Sequence, residues 1–488
     1  MSKKLIKLVS VMICILLAAS IFSGCSEEKN LKESGTDASK ADIRETAEIT
    51  FSQWISGQQG EKQEEVYKRI LADFEKKTGV KVTHTLLPEQ QYKTWLTTQF
   101  AAGSAPDLIK TQISTAWQDF NKGYIADLTP ELDKENPYIT GRKWRDTFSP
   151  TLLEQSVDPT NNKVSMVPTN TVVVRIFYNK DLFTKAGITE IPKTWKSFLE
   201  VQKKLKDAKI LPFAFANSKS ADNHYLWFTN SLTGQLDSAL VPQIDVDKSG
   251  LGLKNEIAMA FDKGIVNFEE TPYKDVFEII KDWSQYWNSD FNSTDSKAAT
   301  QMWLRGEAAM TMIGSFDLVA VEQMEGRNFE YGVMPVPAVT KDSNANASGK
   351  SVVLGGKAAD GYCINKNIKD EKYNAALDLC RYILSPEVAK ILADEMYVIS
   401  SLSGVKISDK LEGFQITANE DVIKVNYYAP STIQEFNDFY FRAGQLYLKG
   451  EVDVKSYTAE MNKEFKKGMD LAKQANNWTE ENGYGTKK

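Results

Sequence analysis

Residues 48–111 read EITFSQWISGQQGEKQEEVYKRILADFEKKTGVKVTHTLLPEQQYKTWLTTQFAAGSAPDLIKT, and short apolar runs alternate there with amphipathic stretches. Alternating or clustered apolar residues predict three strands, at 48–54, 80–86 and 107–111. Apolar residues at helical spacing predict two helices between them, at 61–78 and 92–102, each followed by a glycine. This order of elements predicts an α/β fold in which helices cover a parallel sheet.

The same two patterns recur along the rest of the chain. They predict strands at 172–178, 307–313 and 362–364. They predict helices at 194–206, 371–384, 386–395, 432–448 and 454–475. Residues 250–254 and 341–351 are small and polar, which predicts surface loops. Residues 476–488 lack apolar periodicity apart from Trp478, so we expect a loosely held tail there.

The composition is that of a packed globular protein. The chain has 488 residues, of which 42% are hydrophobic and 25% are charged, and this length suits two large domains or three smaller ones. The net charge of -6 gives no reason to expect nucleic-acid binding. The two histidines are His84 and His224, which excludes a site built from several imidazoles. We expect His84 to be a half-exposed structural residue of a strand.

The N-terminus has the features of an export signal. Three lysines precede residues 8–21, which are almost entirely apolar but too short for a comfortable membrane span. The sequence FSGC at 22–25 resembles a bacterial lipobox, in which the cysteine is diacylated and becomes the new N-terminus. We therefore predict a signal peptide at 1–24 and lipidation of Cys25. An ordinary signal peptide with an incidental cysteine is the alternative.

Residues 25–47 are polar and charged and cannot bury enough apolar surface to fold. We expect a lipidated flexible tether that holds the protein on the outer face of the cytoplasmic membrane, at the bacterial cell surface. Without the signal peptide and the lipidated residue, two cysteines remain, Cys363 and Cys380. A single bridge and two separate buried thiols both fit this number.

Motifs for common catalytic and cofactor chemistry are absent or incomplete. Gly349-Lys350-Ser351 resembles the end of a phosphate-binding loop, but Asn344 stands where that loop needs its first glycine. The chain has no Cys/His cluster with metal-ligand spacing and no G-x-S-x-G elbow. We therefore predict no metal site and no cofactor. Paired carboxylates leave no sequence signature, so a glycoside hydrolase stays an alternative.

Several short motifs occur in the order and spacing of bacterial extracellular solute-binding proteins of family 1, which this chain resembles from about residue 48 to residue 400. These motifs are FEKKTGVKV (74–82), FAAGSAPDLI (100–109), GYIADLTP (123–130), MVP (166–168), FYNKDLFTKAG (177–187), PKTW (192–195), WLRGEAAMTMIGSFD (303–317), YGVMP (331–335), GG (355–356) and LSPEV (384–388). Each motif is weak alone, whereas their order and spacing together are specific.

The resemblance implies a two-lobed, type II periplasmic-binding-protein-like α/β fold, in which each lobe is a mainly parallel sheet flanked by helices. A three-segment hinge would join the lobes near 170–172, 355–358 and 403–406. The first lobe would hold residues 48–171 and 357–404. The second lobe would hold residues 172–356 and 405–488.

Ligand sites in open α/β sheets lie beyond the carboxyl ends of the strands. Candidate ligand-binding residues after the first and third strands are Trp54, Ser56, Gln58, Thr111, Gln112 and Ser114. Candidates in later segments are Asn170, Phe316, Asp317, Gly355 and Gly356. The resemblance implies that most of these segments line the family's cleft. It also implies a further wall at 430–439, with Phe436 as its candidate.

Asn223, Tyr225 and Trp227 surround His224 in a segment that combines polar groups with aromatic rings. This segment fits a cleft wall, which makes the three residues candidates. It fits equally well the start of a helix whose rings lie partly in the core. Four other tryptophans occur at helical spacings, and we expect them in the core or on a lobe surface: Trp195, Trp283, Trp287 and Trp303.

The resemblance implies the extracellular substrate-binding component of an ABC importer, and not an enzyme. It would act as a monomer, bind a sugar or oligosaccharide by hinge closure, and deliver it unaltered to a permease driven by a cytoplasmic ATPase. Phe316 stands where the family most often has tryptophan, and the smaller ring argues against a long, heavily stacked oligosaccharide. The alternatives are a non-carbohydrate solute, such as a peptide or polyol, in the same architecture, and a surface polysaccharide hydrolase.

Overall fold

The computed structural model describes residues 47–158, 161–219, 223–250, 252–325, 327–428 and 434–486, except for the side chains of residues 114, 434 and 435. The predicted signal peptide, the predicted lipidation site Cys25 and all of the predicted tether except residue 47 lie outside the described residues.

The strands are short apart from two long ones in the middle of the main sheet. They are β1 (Glu48–Trp54), β2 (Lys81–Leu87), β3 (Leu108–Gln112), β4 (Glu135–Asn136), β5 (Ile139–Lys143), β6 (Val157–Asp158), β7 (Lys163–Val164), β8 (Val167–Asn179), β9 (Leu211–Phe213), β10 (Ala308–Gly314), β11 (Tyr331–Met334), β12 (Ser351–Val353), β13 (Gly355–Ile364), β14 (Ile399–Ser400) and β15 (Glu420–Val422).

Helices connect most of these strands. They are α1 (Gly60–Thr78), α2 (Glu89–Ala102), α3 (Ile113–Asn121), α4 (Thr129–Leu132), α5 (Pro150–Glu154), α6 (Lys180–Lys185), α7 (Trp195–Asp207), α8 (His224–Leu236), α9 (Val241–Ile244), α10 (Lys254–Asp262), α11 (Tyr273–Trp283), α12 (Ser296–Leu304), α13 (Leu318–Gln323), α14 (Asp370–Ile383), α15 (Pro386–Met396), α16 (Gln434–Lys449) and α17 (Val454–Asn476).

The main sheet has nine strands and runs in the order β2-β1-β3-β13-β8-β10-β9, with β11 and β14 also paired to β8. Pairing is parallel at its two ends, where β1 lies between β2 and β3 and where β10 meets β9. The two long strands, β8 and β13, run antiparallel to each other in the middle. The carboxyl ends of β1 and β3 therefore meet the central part of β8 and β13.

The seven helices that the sequence predicts begin and end within a few residues of their predicted bounds. Helix α1 ends at Gly79, whose φ of 77° is the left-handed conformation that glycine adopts without strain. Its buried face includes Val66, Ile70 and Phe74, at the predicted helical spacing. Helix α7 is capped by the Thr194 side chain, which accepts a hydrogen bond from the Ser197 amide.

Two large apolar clusters form the interior. The first core includes Phe51 of β1, Ile70 of α1, Leu108 of β3 and Leu379 of α14, and its buried members come from residues 49–402. The second core is larger and draws its buried members from residues 174–469. It includes rings from helices far apart in sequence, among them Phe228, Trp283, Tyr440 and Phe465.

The structure differs from the expectation of a loose C-terminal tail over its described part. Trp478 packs against the second core, and Tyr484 is buried. The hydroxyl of Tyr484 donates a hydrogen bond to Asp262 at the end of α10. The prediction failed because two isolated aromatic anchors produce no periodicity.

Other buried side chains agree with the sequence-based predictions or decide between the alternatives that those predictions left open. All four tryptophans expected at helical spacings are buried: Trp195, Trp283, Trp287 and Trp303. His84 is partly buried and stacks on the ring of Phe51, as expected of a structural residue. Cys363 and Cys380 are buried free thiols, so they do not form the bridge that the sequence allowed.

Within the described range, every helix is too short or too polar to cross a bilayer.

Candidate functional site

A cavity of about 280 Å³ opens at the carboxyl ends of β1 and β3, against the middle of β8 and β13. Its polar wall comes from strand exits and from the two long strands: Ser56, Gln59, Gln63, Glu89, Lys110, Gln112, Thr169, Asn170, Ser315 and Asp360. Rings and apolar side chains complete it, including Trp54, Tyr67, Phe316, Tyr362, Leu392 and Tyr397. The mixture of rings and hydrogen-bonding groups is typical of small-molecule sites.

Five of the sequence-predicted residues lie together on this wall. They are Trp54, Ser56, Gln112, Asn170 and Phe316. Trp54 is mostly buried and packs on the ring of Tyr92, with ring centroids 5.7 Å apart. The strand-exit rule finds four of these residues because β1, β3 and β10 all end at the cavity, whereas Asn170 lies within β8.

A buried ion pair forms part of the same wall. Nζ of Lys110 lies 2.7 Å from Oδ2 of Asp360, and each side chain is 9% exposed. Nζ also donates a hydrogen bond to Oγ of Ser56 and lies 4.5 Å from the centroid of the Trp54 ring. Sequence reasoning missed both charged residues. A lysine within the otherwise apolar strand DLIKT was the available signal, because a buried charge needs a specific partner.

The segment after β1 contacts the segment after β10 directly. The backbone amide of Gln58 donates a hydrogen bond to Oδ1 of Asp317 at 2.8 Å. Burial raises the pKa of the Asp317 carboxyl to about 6. Gly57 has a φ of 58°, and a Cβ on it would lie 2.3 Å from the same oxygen, so only glycine fits this contact. Gln58 and Asp317 thus join the two sides of the cavity rather than line it.

Other predicted residues lie near the cavity but not on its wall. Thr111 is buried beside Lys110 and Gln112, and the alternation of side chains along β3 turns it to the opposite face. A Cβ on Gly355 would lie 1.9 Å from the carbonyl oxygen of Val172, so this glycine permits strand packing. Gly356 lines a second, more apolar cavity. The side chain of Ser114 lies outside the described residues.

The remaining predicted residues belong to the second core. Asn223 is the N-cap of α8, and its side chain accepts a hydrogen bond from the Leu226 amide. Tyr225 is fully buried, with its hydroxyl 2.9 Å from that of Tyr457. Trp227 packs against the same core, and Phe436 stacks on the ring of Phe268. The helix-start reading of this segment is correct, because helical spacing turns these rings into the interior.

A separate group of carboxylates could hold a cation. Asp245, Asp247 and Glu256 have ligand oxygens within 4.8 Å of one another. Burial raises the pKa of the Glu256 carboxyl to about 7, although it accepts hydrogen bonds from the amides of Asp247 and Leu253. The sequence signal is D-x-D-x-S-G-x5-E at 245–256, the spacing of a calcium-binding loop with serine in the fifth position. The prediction of no metal site overlooked this spacing.

Residues 58–390 match the family model of bacterial extracellular solute-binding proteins, which is more than half of the chain. The chain belongs to this family. Its members bind solutes and are not enzymes, so the hydrolase alternative does not hold. The family is extracellular, which agrees with an export signal.

Curated relatives match over part of their length. The multiple sugar-binding protein of Streptococcus mutans is 27% identical over 180 residues, covering 35% of this chain and 38% of the relative. The erythritol/L-threitol-binding protein of Mycolicibacterium smegmatis is 27% identical over 148 residues, covering 29% and 31%. The sn-glycerol-3-phosphate-binding periplasmic protein UgpB of Pectobacterium atrosepticum is 26% identical over 225 residues, covering 44% and 46%. The chain thus spans less than half the length of each.

Solved structures match over nearly the whole chain. A chitin oligosaccharide binding protein has a TM-score of 0.67 at 17% identity, covering 88% of this chain and 100% of its own. The binding protein RafE in complex with raffinose has a TM-score of 0.63 at 21% identity, covering 87% and 100%. Maltose-bound MalE3 of T. maritima has a TM-score of 0.63 at 19% identity, covering 86% and 99%. The predicted type II periplasmic-binding-protein-like fold is confirmed.

Proposed function

We propose that this protein binds a carbohydrate in the cavity at the ends of β1 and β3 and delivers it to an ABC permease. The observation that carries the proposal is the composition of the wall. Trp54 and Phe316 contribute ring surface that suits the C–H groups of a sugar, while Gln112 and Asn170 offer amides to its hydroxyl groups. A relative named for multiple sugars and neighbours holding raffinose and maltose support the same ligand class.

The proposal includes two lobes that close on the ligand, with residues 48–171 and 357–404 in the first and residues 172–356 and 405–488 in the second. The first and second cores support this division, because each is a separate apolar cluster. Phe316 of the second lobe and Trp54 of the first line one cavity in this structure, as a closed state requires. A ligand that contacts both lobes favours the closed state by the difference between its affinities for the two states.

The charge of the cavity favours an uncharged ligand. Lys110 is the one basic residue among the described residues on its wall, and Asp360 lies within ion-pair distance of it. An anion would therefore meet no free cation. The same wall suits a polyol, and the relative named for erythritol and threitol keeps this alternative open.

The cellular setting completes the proposal. We propose that the chain is exported, lipidated on Cys25 and held by the segment 25–47 at the outer face of the cytoplasmic membrane. There it would act as a monomer and present the closed lobes to a permease that a cytoplasmic ATPase drives. The family's extracellular location and the sequence FSGC at 22–25 support this setting.

Isothermal titration calorimetry with maltose, raffinose, chitobiose, glucose and erythritol tests the ligand class. We expect at least one sugar to bind, and Phe316→Ala to weaken its binding about tenfold or more through the loss of ring contact. Phe439→Ala is the matched control, because Phe439 is a partly buried ring packed on the second core. The proposal fails if no sugar binds the wild-type protein, or if the two variants bind equally well.

A further inference from the structure

Two contacts join the proposed lobes beside the cavity, and the first of them is polar. The backbone amide of Gln58, in the proposed first lobe, donates a hydrogen bond at 2.8 Å to Oδ1 of Asp317, in the proposed second lobe. Asp317 is the N-cap residue of α13, yet its side chain makes no capping hydrogen bond to that helix. The buried carboxylate therefore serves the other lobe rather than its own helix.

The second contact is apolar and comes from α13 itself. Val319 is 1% exposed and belongs to the first core. All other buried members that the described residues contribute to this core lie in 49–167 and 362–402, within the proposed first lobe. Helix α13 also packs against α15 of that lobe. Val319 thus extends from the proposed second lobe into the interior of the first, and separation of the lobes would expose it to water.

Val321, two residues further along the same helix, shows the contrast. It is fully buried in a third apolar cluster, whose buried members lie in 173–353 and 411–414 of the proposed second lobe. Residues two positions apart on a helix differ by about 200° in direction, so they face different neighbours. Val321 therefore anchors α13 in its own lobe, while Val319 faces the other lobe.

Neither contact needs a ligand. The neighbouring residues Gly57 and Phe316 line the cavity, whereas Gln58, Asp317 and Val319 do not. A hydrogen bond to a carboxylate and the burial of an apolar side chain each stabilise the state in which they form. Both contacts therefore favour the closed arrangement whether or not a ligand fills the cavity.

We propose that Asp317 and Val319 act as a latch that keeps the two lobes closed in the absence of ligand. The inference rests on the proposed function, from which it takes the two lobes. It goes further because the closed state would persist without any contact made by a ligand. Ligand would then enter only after the latch releases, which makes latch release a step of binding.

Hydrogen exchange of the Gln58 amide, measured by mass spectrometry on the full-length protein freed of sugar, tests the latch. We expect this amide to exchange about tenfold or more slowly in the wild type than in an unstructured peptide of the same sequence. Val319→Ser removes the apolar contact and leaves both partners of the hydrogen bond in place. It should accelerate the exchange about tenfold or more. Val321→Ser is the matched control and should stay within about twofold of wild type.

Small-angle X-ray scattering of the same unliganded proteins measures the separation of the lobes directly. The wild type and Val321→Ser should match the scattering curve calculated from the closed structure. Val319→Ser and Asp317→Ala should give a larger radius of gyration, because their lobes part more often. Thermal melting establishes that each variant is folded, and Asp317→Ala supplies the same test if Val319→Ser fails to fold.

An open wild-type protein, or a Gln58 amide that exchanges as fast as in the free peptide, overturns the latch. Folded latch variants that stay closed overturn it as well. Equal acceleration of the exchange in Val319→Ser and Val321→Ser would mean that α13 acts through stability alone, which also contradicts the latch. None of these measurements contains a ligand, so the proposed function fails separately, by the absence of sugar binding in calorimetry.

Discussion

Two buried ion pairs in this molecule differ in the number of hydrogen bonds that surround them. Arg175 of β8 and Glu420 of β15 lie 2.7 Å apart and are almost fully buried. Arg175 also donates to the carbonyl oxygens of Gly413 and Gln415. Glu420 also accepts hydrogen bonds from the amide and hydroxyl of Thr417. Lys110 and Asp360 have a similar separation, yet one oxygen of Asp360 lacks a partner among the described residues.

The first pair is surrounded by several hydrogen-bonding groups, whereas the second lies on a cavity wall with fewer of them. Burial lowers the pKa of Arg175, and the surrounding carbonyl groups and Glu420 compensate for the loss of water. That network ties β8 to the segment before β15. Oε1 of Glu420 accepts no hydrogen bond from the described residues, but it lies 2.7 Å from Nη1 of Arg175. In the pair on the cavity wall, Oδ1 of Asp360 accepts no hydrogen bond from the described residues, and an unsatisfied buried acceptor is costly.

Breaking the Arg175–Glu420 pair should have the largest effect on stability. Arg175→Met leaves Glu420 as a buried charge without its cation, which we expect to lower the free energy of unfolding by about 3–5 kcal/mol. Urea denaturation followed by circular dichroism measures this loss. Arg305→Met is the control, because the Arg305–Glu307 pair is half exposed and should contribute about 0–1 kcal/mol. Equal losses in the two variants would contradict the distinction.

Asp237 extends the comparison to a buried carboxylate that forms no ion pair with any described residue. Its Oδ2 accepts a hydrogen bond from the hydroxyl of Tyr427, and its Oδ1 has no partner among the described residues. Burial raises the pKa of this carboxyl to about 7. Below that pH, Asp237 keeps its proton in the folded state, which relieves the cost of burial.

The pH dependence of stability follows from this shift. Between about pH 4 and pH 7 the unfolded chain releases the Asp237 proton while the folded chain retains it, so stability falls as pH rises. Asp237→Asn removes this dependence. Over that range, we expect the free energy of unfolding of the wild type to fall by about 2–4 kcal/mol relative to that of the variant. Above pH 7, we expect no further difference to develop. Thermal melting across pH measures the difference. Asp207→Asn, at an exposed ion pair, should keep the wild-type profile.

Asp360→Asn should have a smaller effect on stability than Arg175→Met. The amide keeps the shape of the carboxylate, and Lys110 retains Ser56 and the Trp54 ring. We expect a loss of about 2 kcal/mol in the free energy of unfolding, less than in Arg175→Met because Lys110 keeps two other contacts, measured by the same urea titration. A loss as large as that of Arg175→Met would make the pair on the cavity wall structural and contradict the comparison.

Much of the cavity could be predicted because it follows from strand ends. Trp54 and Gln112 end the strands β1 and β3, and Phe316 follows β10, so the strand pattern located them before any pairing was known. Asp360 could not be found in this way. It meets Lys110 only because β13 runs antiparallel to β3, with Tyr362 opposite Lys110 and Asp360 opposite Gln112. No local sequence pattern specifies which residues pair when two strands lie about 250 residues apart in the sequence.

The sequence by itself determined the elements, since apolar spacing and terminal glycines are local and act within a few residues. It also contains the motifs whose order and spacing resemble those of the family. Only the tertiary structure decided which polar groups share a wall and which rings are interior. Tyr225 and Phe436 have the spacing of either role, and packing between distant helices buried them. Whether a residue is buried, and which groups it contacts, depends on distant parts of the chain. The residues next to it in the sequence do not encode these contacts.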